Sequence, residues 1–148
     1  MENPNRSIRA FAIGLILYGA INLLGNAGYG DFKILCKGFP EPIILAIYIF
    51  GIGYGIMGIL CGTRILRFEN WARKTAIGLV LMSLLIGLLI TPQTLKNLEL
   101  FHSENIALQN VSLRGLVKTY ISFAVIFTLF EISFIYFFTR LKIKGYFK

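Results

Sequence analysis

Residues 42–63 read PIILAIYIFGIGYGIMGILCGT, an unbroken run between Glu41 and Arg64 with no Asp, Glu, Lys or Arg. An α-helix rises about 1.5 Å per residue, so roughly 20 apolar residues cross the hydrocarbon core of a bilayer. The run is long enough to do so. Helix is the form to expect, because backbone groups in lipid must bond within their own segment. A strand of a membrane barrel would alternate polar and apolar side chains, and this run does not. Outward from it the pattern repeats. Uncharged stretches separate Arg9 from Asp31 and Lys74 from Lys96, and residues 120–138, YISFAVIFTLFEISFIYFF, are apolar and aromatic apart from Glu131. The reading is an all-α, polytopic membrane protein. It has a single domain over residues 1–148, with four transmembrane helices in an antiparallel bundle at about 10–27, 42–62, 75–91 and 119–138.

Composition agrees. The chain of 148 residues is 56% hydrophobic and 15% charged, with a mean hydropathy of +0.71; soluble domains carry about 25% charged residues. A soluble domain of this length has no core large enough to hide so much apolar surface. Disorder, the usual soluble solenoids and an ordinary cytosolic enzyme are excluded. The opening, with Arg6 and Arg9 before an apolar run and Asn26-Ala27-Gly28, has the layout of a signal peptide. Its apolar run exceeds the roughly 7–15 residues of a signal core, so this helix is expected to be retained.

Lys and Arg collect on the cytoplasmic side of membrane proteins. With the N-terminus inside, ten of the fifteen bases fall inside: Arg6 and Arg9; Arg64, Arg67, Arg73 and Lys74; Arg140, Lys142, Lys144 and Lys148. Lys33, Lys37, Lys96, Arg114 and Lys118 fall outside. Both termini are therefore expected in the cytoplasm, and the expected location is the bacterial or archaeal cytoplasmic (inner) membrane. The net charge of +8 reads as topology signals and contact with anionic headgroups, not as nucleic-acid binding.

Little catalytic chemistry is visible. Cys36 and Cys61 fall on opposite sides of the membrane in this topology, beyond the roughly 7 Å Cα separation that a disulfide allows. His102 is the only histidine, so paired histidine ligation of haem within the chain is excluded and no zinc set is readable. His102 with Glu99 and Glu104 reads as solvated loop polarity. Neither a phosphate loop nor a Ser-His-Asp set is present. No cofactor and no metal are expected.

The loops carry their own signals. Residues 28–41 hold turn-forming Gly and Pro. Residues 63–74, TRILRFENWARK, mix Trp71 and Phe68 with bases, as an interfacial segment does. In the long loop 91–118, Leu95, Leu98 and Phe101 recur at three-residue spacing, and a short helix lying on the outer surface or docking a partner is expected. Asn110-Val111-Ser112 forms a glycosylation sequon, of consequence only in a glycosylating organism.

Within the second span, Gly51 and Gly55, and Gly58 and Gly62, are four apart, a spacing that lets helix backbones approach closely. Ala10 and Gly14 on the first span, and Ser83 and Gly87 on the third, are the matching small residues. Packing inside the bundle is favoured over a homo-dimer seam, since one small face serves one neighbour.

Glu131 is the costly residue, because a charge in mid-membrane is expensive and such groups face the protein interior. Ala124, Thr128, Glu131 and Ile135 form one stripe, while Phe123, Phe127, Phe130, Phe134 and Phe137 are expected mostly toward lipid. Equal depths counted along the helices bring Tyr18, Tyr54 and Ser83 to the level of Glu131, with Asn22 one turn deeper. The expected intramembrane polar cluster is Tyr18, Asn22, Tyr54, Ser83, Thr128 and Glu131. With no base at that depth, a neutral carboxyl donating one hydrogen bond is expected. Glu131 then ties the helices together, binds a proton or cation, or meets a basic residue of a partner subunit.

The Gly-rich second helix leading to Arg64-Ile65-Leu66-Arg67 and Asn70-Trp71-Ala72-Arg73, and the ending Tyr136-Phe137-Phe138-Thr139-Arg140 with Lys142, Lys144 and Phe147, resemble small, mostly uncharacterised prokaryotic four-helix membrane proteins. A Pro often follows the Thr-Arg in those proteins, where Leu141 stands here. The likeness covers about thirty residues and implies topology, not activity. DoxX-like proteins share the four-span plan without a shared motif, and small multidrug exporters carry their carboxylate in the first helix rather than the fourth. The expectation is a non-enzymatic subunit or scaffold of a membrane assembly, with the lipid bilayer, other membrane subunits or a second copy as partners and no nucleic acid. The alternative is a small proton- or cation-coupled transporter using Glu131. A lipid-modifying enzyme is third.

Overall fold

The computed structural model describes residues 4–25, 28–105, 108 and 110–147. Among these residues six α-helices follow in chain order: α1 Pro4–Gly25, α2 Tyr29–Leu35, α3 Glu41–Ile65, α4 Asn70–Glu104, α5 Leu113–Thr139 and α6 Leu141–Lys144. There is no strand among the described residues, only an isolated bridge between Lys37 and Phe39. Local chemistry sets the ends. Gly38 takes φ +108° in the turn before α3, a region open to glycine at no steric cost. Pro40 and Pro42 flank the start of α3, where a missing N–H is harmless. Ser112 caps α5 by accepting from the Gly115 N–H at 3.1 Å.

Four helices, α1, α3, α4 and α5, are long and apolar enough to cross a membrane. Only 11–22% of their most apolar windows is buried inside the protein. Leu17, Leu24, Leu88, Leu89, Ile126 and Leu129 are each more than half exposed. A fold held by apolar burial in water would not leave so much of each helix uncovered. The outward faces suit lipid.

α4 differs from expectation. It is a single helix of 35 residues that runs through Pro92 to Glu104, so the stretch Leu95–Phe101 is no separate helix lying on the membrane surface. Pro92 withholds the N–H that Leu88 would otherwise receive, and Thr91 Oγ1 donates to Gly87 O at 2.7 Å one residue away. The extension has its own partner: Asn97 Nδ2 donates to Leu35 O at 3.0 Å and Lys37 O at 2.8 Å, and Gln93 Nε2 also donates to Lys37 O. Thr94 and Leu98 are buried. The apolar stripe is thus covered by α2 and the turn after it. At about 1.5 Å per residue α4 is roughly 52 Å long, well beyond a hydrocarbon core of about 30 Å. The α2 end of the molecule projects.

Packing is unequal along the helices. α1 lies on α3, α3 on α4, α4 on α5, and α2 on α3 and α4. The α1–α3 seam uses Gly55, Gly58 and Gly62. A Cβ at Gly62 would come 2.8 Å from Ala12 O, and one at Gly55 2.9 Å from Gly19 O. The small-residue face of α3 is therefore occupied by Ala12, Leu15 and Gly19 of α1. Ala10 is exposed, Gly14 meets the Phe130 ring of α5, and Gly87 has open space around it; none of these forms the close helix contacts expected of them. The core fills the end where α3 turns into α4: Ile8, Leu15, Cys61, Ile65, Ala76, Val80, Phe134 and Phe138 are buried together. Phe11 sits among Phe130, Phe134, Phe137 and Phe138 at centroid distances of 4.8–6.1 Å. Phe134 points inward rather than toward lipid, as Phe127 and Phe130 do in part. The reason is room: the opposing α1 offers Gly14 where a ring is needed to fill the gap. Phe123 alone of that set is more than half exposed.

Candidate functional site

Arg73 is the base that sequence reasoning placed in a loop and the structure places inside. It is 5% exposed. Its Nη1 donates to Phe138 O at 2.9 Å, its Nε and Nη2 both reach Asn70 Oδ1, and its guanidinium lies 5.6 Å from the Phe147 ring centroid. A cation at the C-terminus of α5 meets the negative end of the helix and carbonyls that lack intrahelical donors. Arg73 thereby ties the start of α4 to the end of α5 and to the tail beyond α6. The adjoining turn is tight. Phe68 takes φ 59° and packs near Phe147, while Glu69 accepts from Trp71 Nε1 at 2.6 Å and Arg64 Nη1 at 3.1 Å. These donors hold the Glu69 carboxyl below the usual range.

At the other end of the packed core the structure opens. A cavity of about 800 Å³ lies among α1, α3, α4 and α5, inside the range of small-molecule sites. One end of it is polar. Tyr18 Oη donates to Glu131 Oε1 at 2.9 Å, joining α1 to α5. The Tyr18 ring stacks on Phe127 at 4.6 Å and meets the Tyr54 ring edge-on at 5.4 Å. Glu131 is 4% and Tyr54 2% exposed. The Ser83 hydroxyl neighbours Glu131 and both tyrosines. It does not complete a bond to Tyr54, whose Oη is buried without a hydrogen-bond partner. From this floor the walls rise past Phe50, Leu84 and Ala124 to Phe32, Pro92 and Leu95 near the projecting end.

The structure brings all six expected residues to one cavity: Tyr18, Tyr54, Ser83 and Glu131 together, with Thr128 and Asn22 beside them on its wall. Asn22 lines the same cavity, but its Nδ2 turns back to Tyr18 O at 3.0 Å. Gly51 lines this cavity too. Among the described residues no Lys, Arg, His or Asp lines it, and Glu131 is the one carboxyl there, beside the phenols of Tyr18, Tyr54 and Tyr120. Sequence reasoning located the polar level by depth but gave no sign of the hollow above it. Pro92 and the small residues Gly51, Gly87 and Ala124 were the signal: each places little volume where a bundle needs filling.

The remaining candidates stay apart. Cys36 and Cys61 are free and buried, and burial pushes the Cys36 thiol up. His102 bonds Val111 O at 2.6 Å. Among the described residues no group of three His, Cys, Asp or Glu side chains is placed to hold a metal. Comparison with protein-family models, with curated proteins and with solved structures found no match.

Proposed function

We propose that this chain is an integral protein of a prokaryotic cytoplasmic membrane, an antiparallel bundle of four spans with both termini on the cytoplasmic side. It binds a small molecule in the cavity and carries it coupled to a proton or cation at Glu131. The observation that carries the reading is the cavity that ends on Glu131. A buried carboxyl whose only task was to tie helices together would need no hollow beside it, since empty space forfeits contacts. Next to this cavity the rings of Phe11, Phe130, Phe134 and Phe138 pack together, so the hollow does not continue into the packed core. The subunit or scaffold role stands second for the same reason: docking needs an outer surface, and the distinctive feature here is internal. Catalysis has no constellation to support it.

The test is reconstitution of the full chain in liposomes, with proton, sodium and potassium flux compared for wild type and Glu131→Gln. Gln keeps shape and hydrogen bonding but does not ionise. Flux that Glu131→Gln abolishes supports the carrier. Equal flux in both, or none in either, overturns it. Gentle extraction from native membranes with mass spectrometry of co-purifying chains addresses the subunit role, which stoichiometric partners would restore.

A further inference from the structure

The cavity has a chemical polarity of its own. Its walls are aliphatic and aromatic, its floor holds one carboxyl and two phenols, and no base faces the carboxyl from any helix packed around it. The titratable groups that line it are Tyr18 from α1, Tyr54 from α3, and Tyr120 and Glu131 itself from α5; α4 contributes the hydroxyls of Ser83 and Thr91 and no titratable group. Tyr18 already spends its proton on Glu131 Oε1. Two capacities are left open at the floor: the unpartnered Tyr54 hydroxyl and the remaining lone pairs of the Glu131 carboxyl. A ligand that completes this floor donates hydrogen bonds and brings the missing positive charge. Its remainder is apolar, to match the walls. The rings of Tyr18, Tyr54 and Phe127 clustered there favour a cation over an anion as well.

We propose that the cavity binds lipophilic organic amines in their protonated form, the ammonium donating to Glu131 and to Tyr54 Oη and the apolar body lying against Phe50, Phe127 and Leu84. The proposal rests on the carrier reading and names its substrate class. The proton balance is explicit. An empty site holds a neutral carboxyl; when the ammonium enters, the Glu131 proton leaves to solvent. The floor is neutral before and after, and one proton is released per amine bound. Coupling between amine and proton follows from this exchange with no further residue required.

The experiment uses the purified full chain in nanodiscs and three probes of one shape: naphthylethylamine, naphthylethanol and naphthylacetate. Binding is read by tryptophan-independent naphthyl fluorescence and by melting temperature, with protein-free nanodiscs as the partition control. The expected result is amine binding about tenfold or more tighter than the alcohol, since hydrogen bonds to charged groups exceed neutral ones, and no saturable carboxylate binding. Amine affinity rises by up to about tenfold per pH unit where one proton is exchanged. Glu131→Gln loses the preference for amine and the pH dependence while keeping alcohol binding, which also shows that the variant is folded. Tyr54→Phe weakens the amine several-fold without lowering the melting temperature. Equal binding of amine and alcohol in wild type, preference for the carboxylate, or no saturable binding of any probe overturns the inference. Selective amine binding without flux would remove the carrier and leave the site; Glu131-dependent flux without amine preference would do the reverse.

Discussion

Among the described residues one acidic and one basic side chain, Glu131 and Arg73, are buried, and their surroundings are opposite. Glu131 is held by the Tyr18 phenol, with the Ser83 hydroxyl beside it, at the edge of a hollow, whereas Arg73 is held by an amide, a main-chain carbonyl and a ring in packed surroundings. The first arrangement leaves capacity for a ligand; the second leaves little. Arg73→Leu removes the donor from Phe138 O and all bonds to Asn70, so it is expected to cost about 2–3 kcal/mol of stability. Arg73→Lys does not restore it, because an ammonium lacks the fork that spans both acceptors. Unfolding of the purified variants in mixed micelles measures this, and a Lys variant as stable as wild type would refute the role. Glu131 was legible in the sequence because it stands alone in an apolar run. Arg73 was not, because it sits among Arg64, Arg67 and Lys74, where four bases look alike and only tertiary contact separates them.

At the scale of elements, the α1–α3 pair rests on close backbone approach. Gly62→Ala sets a methyl against Ala12 O and Ile16 and is expected to destabilise by about 1–3 kcal/mol, as overpacking does. Gly53 on the same helix has nothing within 4 Å, so Gly53→Ala is expected to stabilise by about 0.5–1 kcal/mol through backbone entropy. The same unfolding measurement compares them, and similar effects at both positions would show that the seam is not where the glycines count. The spacing of small residues revealed that α3 has a face for another helix. It did not reveal which helix, since Ala10, Gly14 and Ala12 are equally small and only the register of α1 selects Ala12 and Gly19. α4 misled for a related reason: Pro92 and the charges after it signal an end in water, but α2 supplies the partner that keeps the helix going.

On the scale of the whole molecule, the two ends are built differently. The end where α3 meets α4 is packed and rich in bases; the α2 end projects and is joined by few contacts, among them the exposed Lys33–Glu41 pair at 2.6 Å. Lys33 holds the Glu41 carboxyl below its ordinary value. A lowered carboxyl value adds stability above the unfolded value and loses it as pH falls through the folded one. Glu41→Gln should therefore loosen α2 at neutral pH, and wild type and variant should converge in acid, once pH has fallen through that lowered value. Hydrogen exchange in α2 across that range reads the effect; a difference that persists in acid would sink the assignment. Topology itself is tested by single cysteines: at Lys142 a cysteine is expected to react only with reagents admitted to the cytoplasm, and at Lys96 with reagents outside. Labelling in the opposite sense would invert the bundle. Span number was legible because uncharged length is a direct measure of bilayer thickness. The cavity was not, because an absence of filling belongs to no single stretch of chain.

Arg73 also imposes an order on assembly in the membrane. It stands at the start of α4, and the carbonyl it caps lies 65 residues later at the end of α5. Until α5 is in place that carbonyl is missing, and of the hydrogen-bond partners described for Arg73 only Asn70, on its own helix, is at hand. Insertion of α5 supplies the carbonyl that draws it inward. A nascent chain stalled before α5 should therefore leave this position open to water-soluble reagents, and release of the full hairpin should close it.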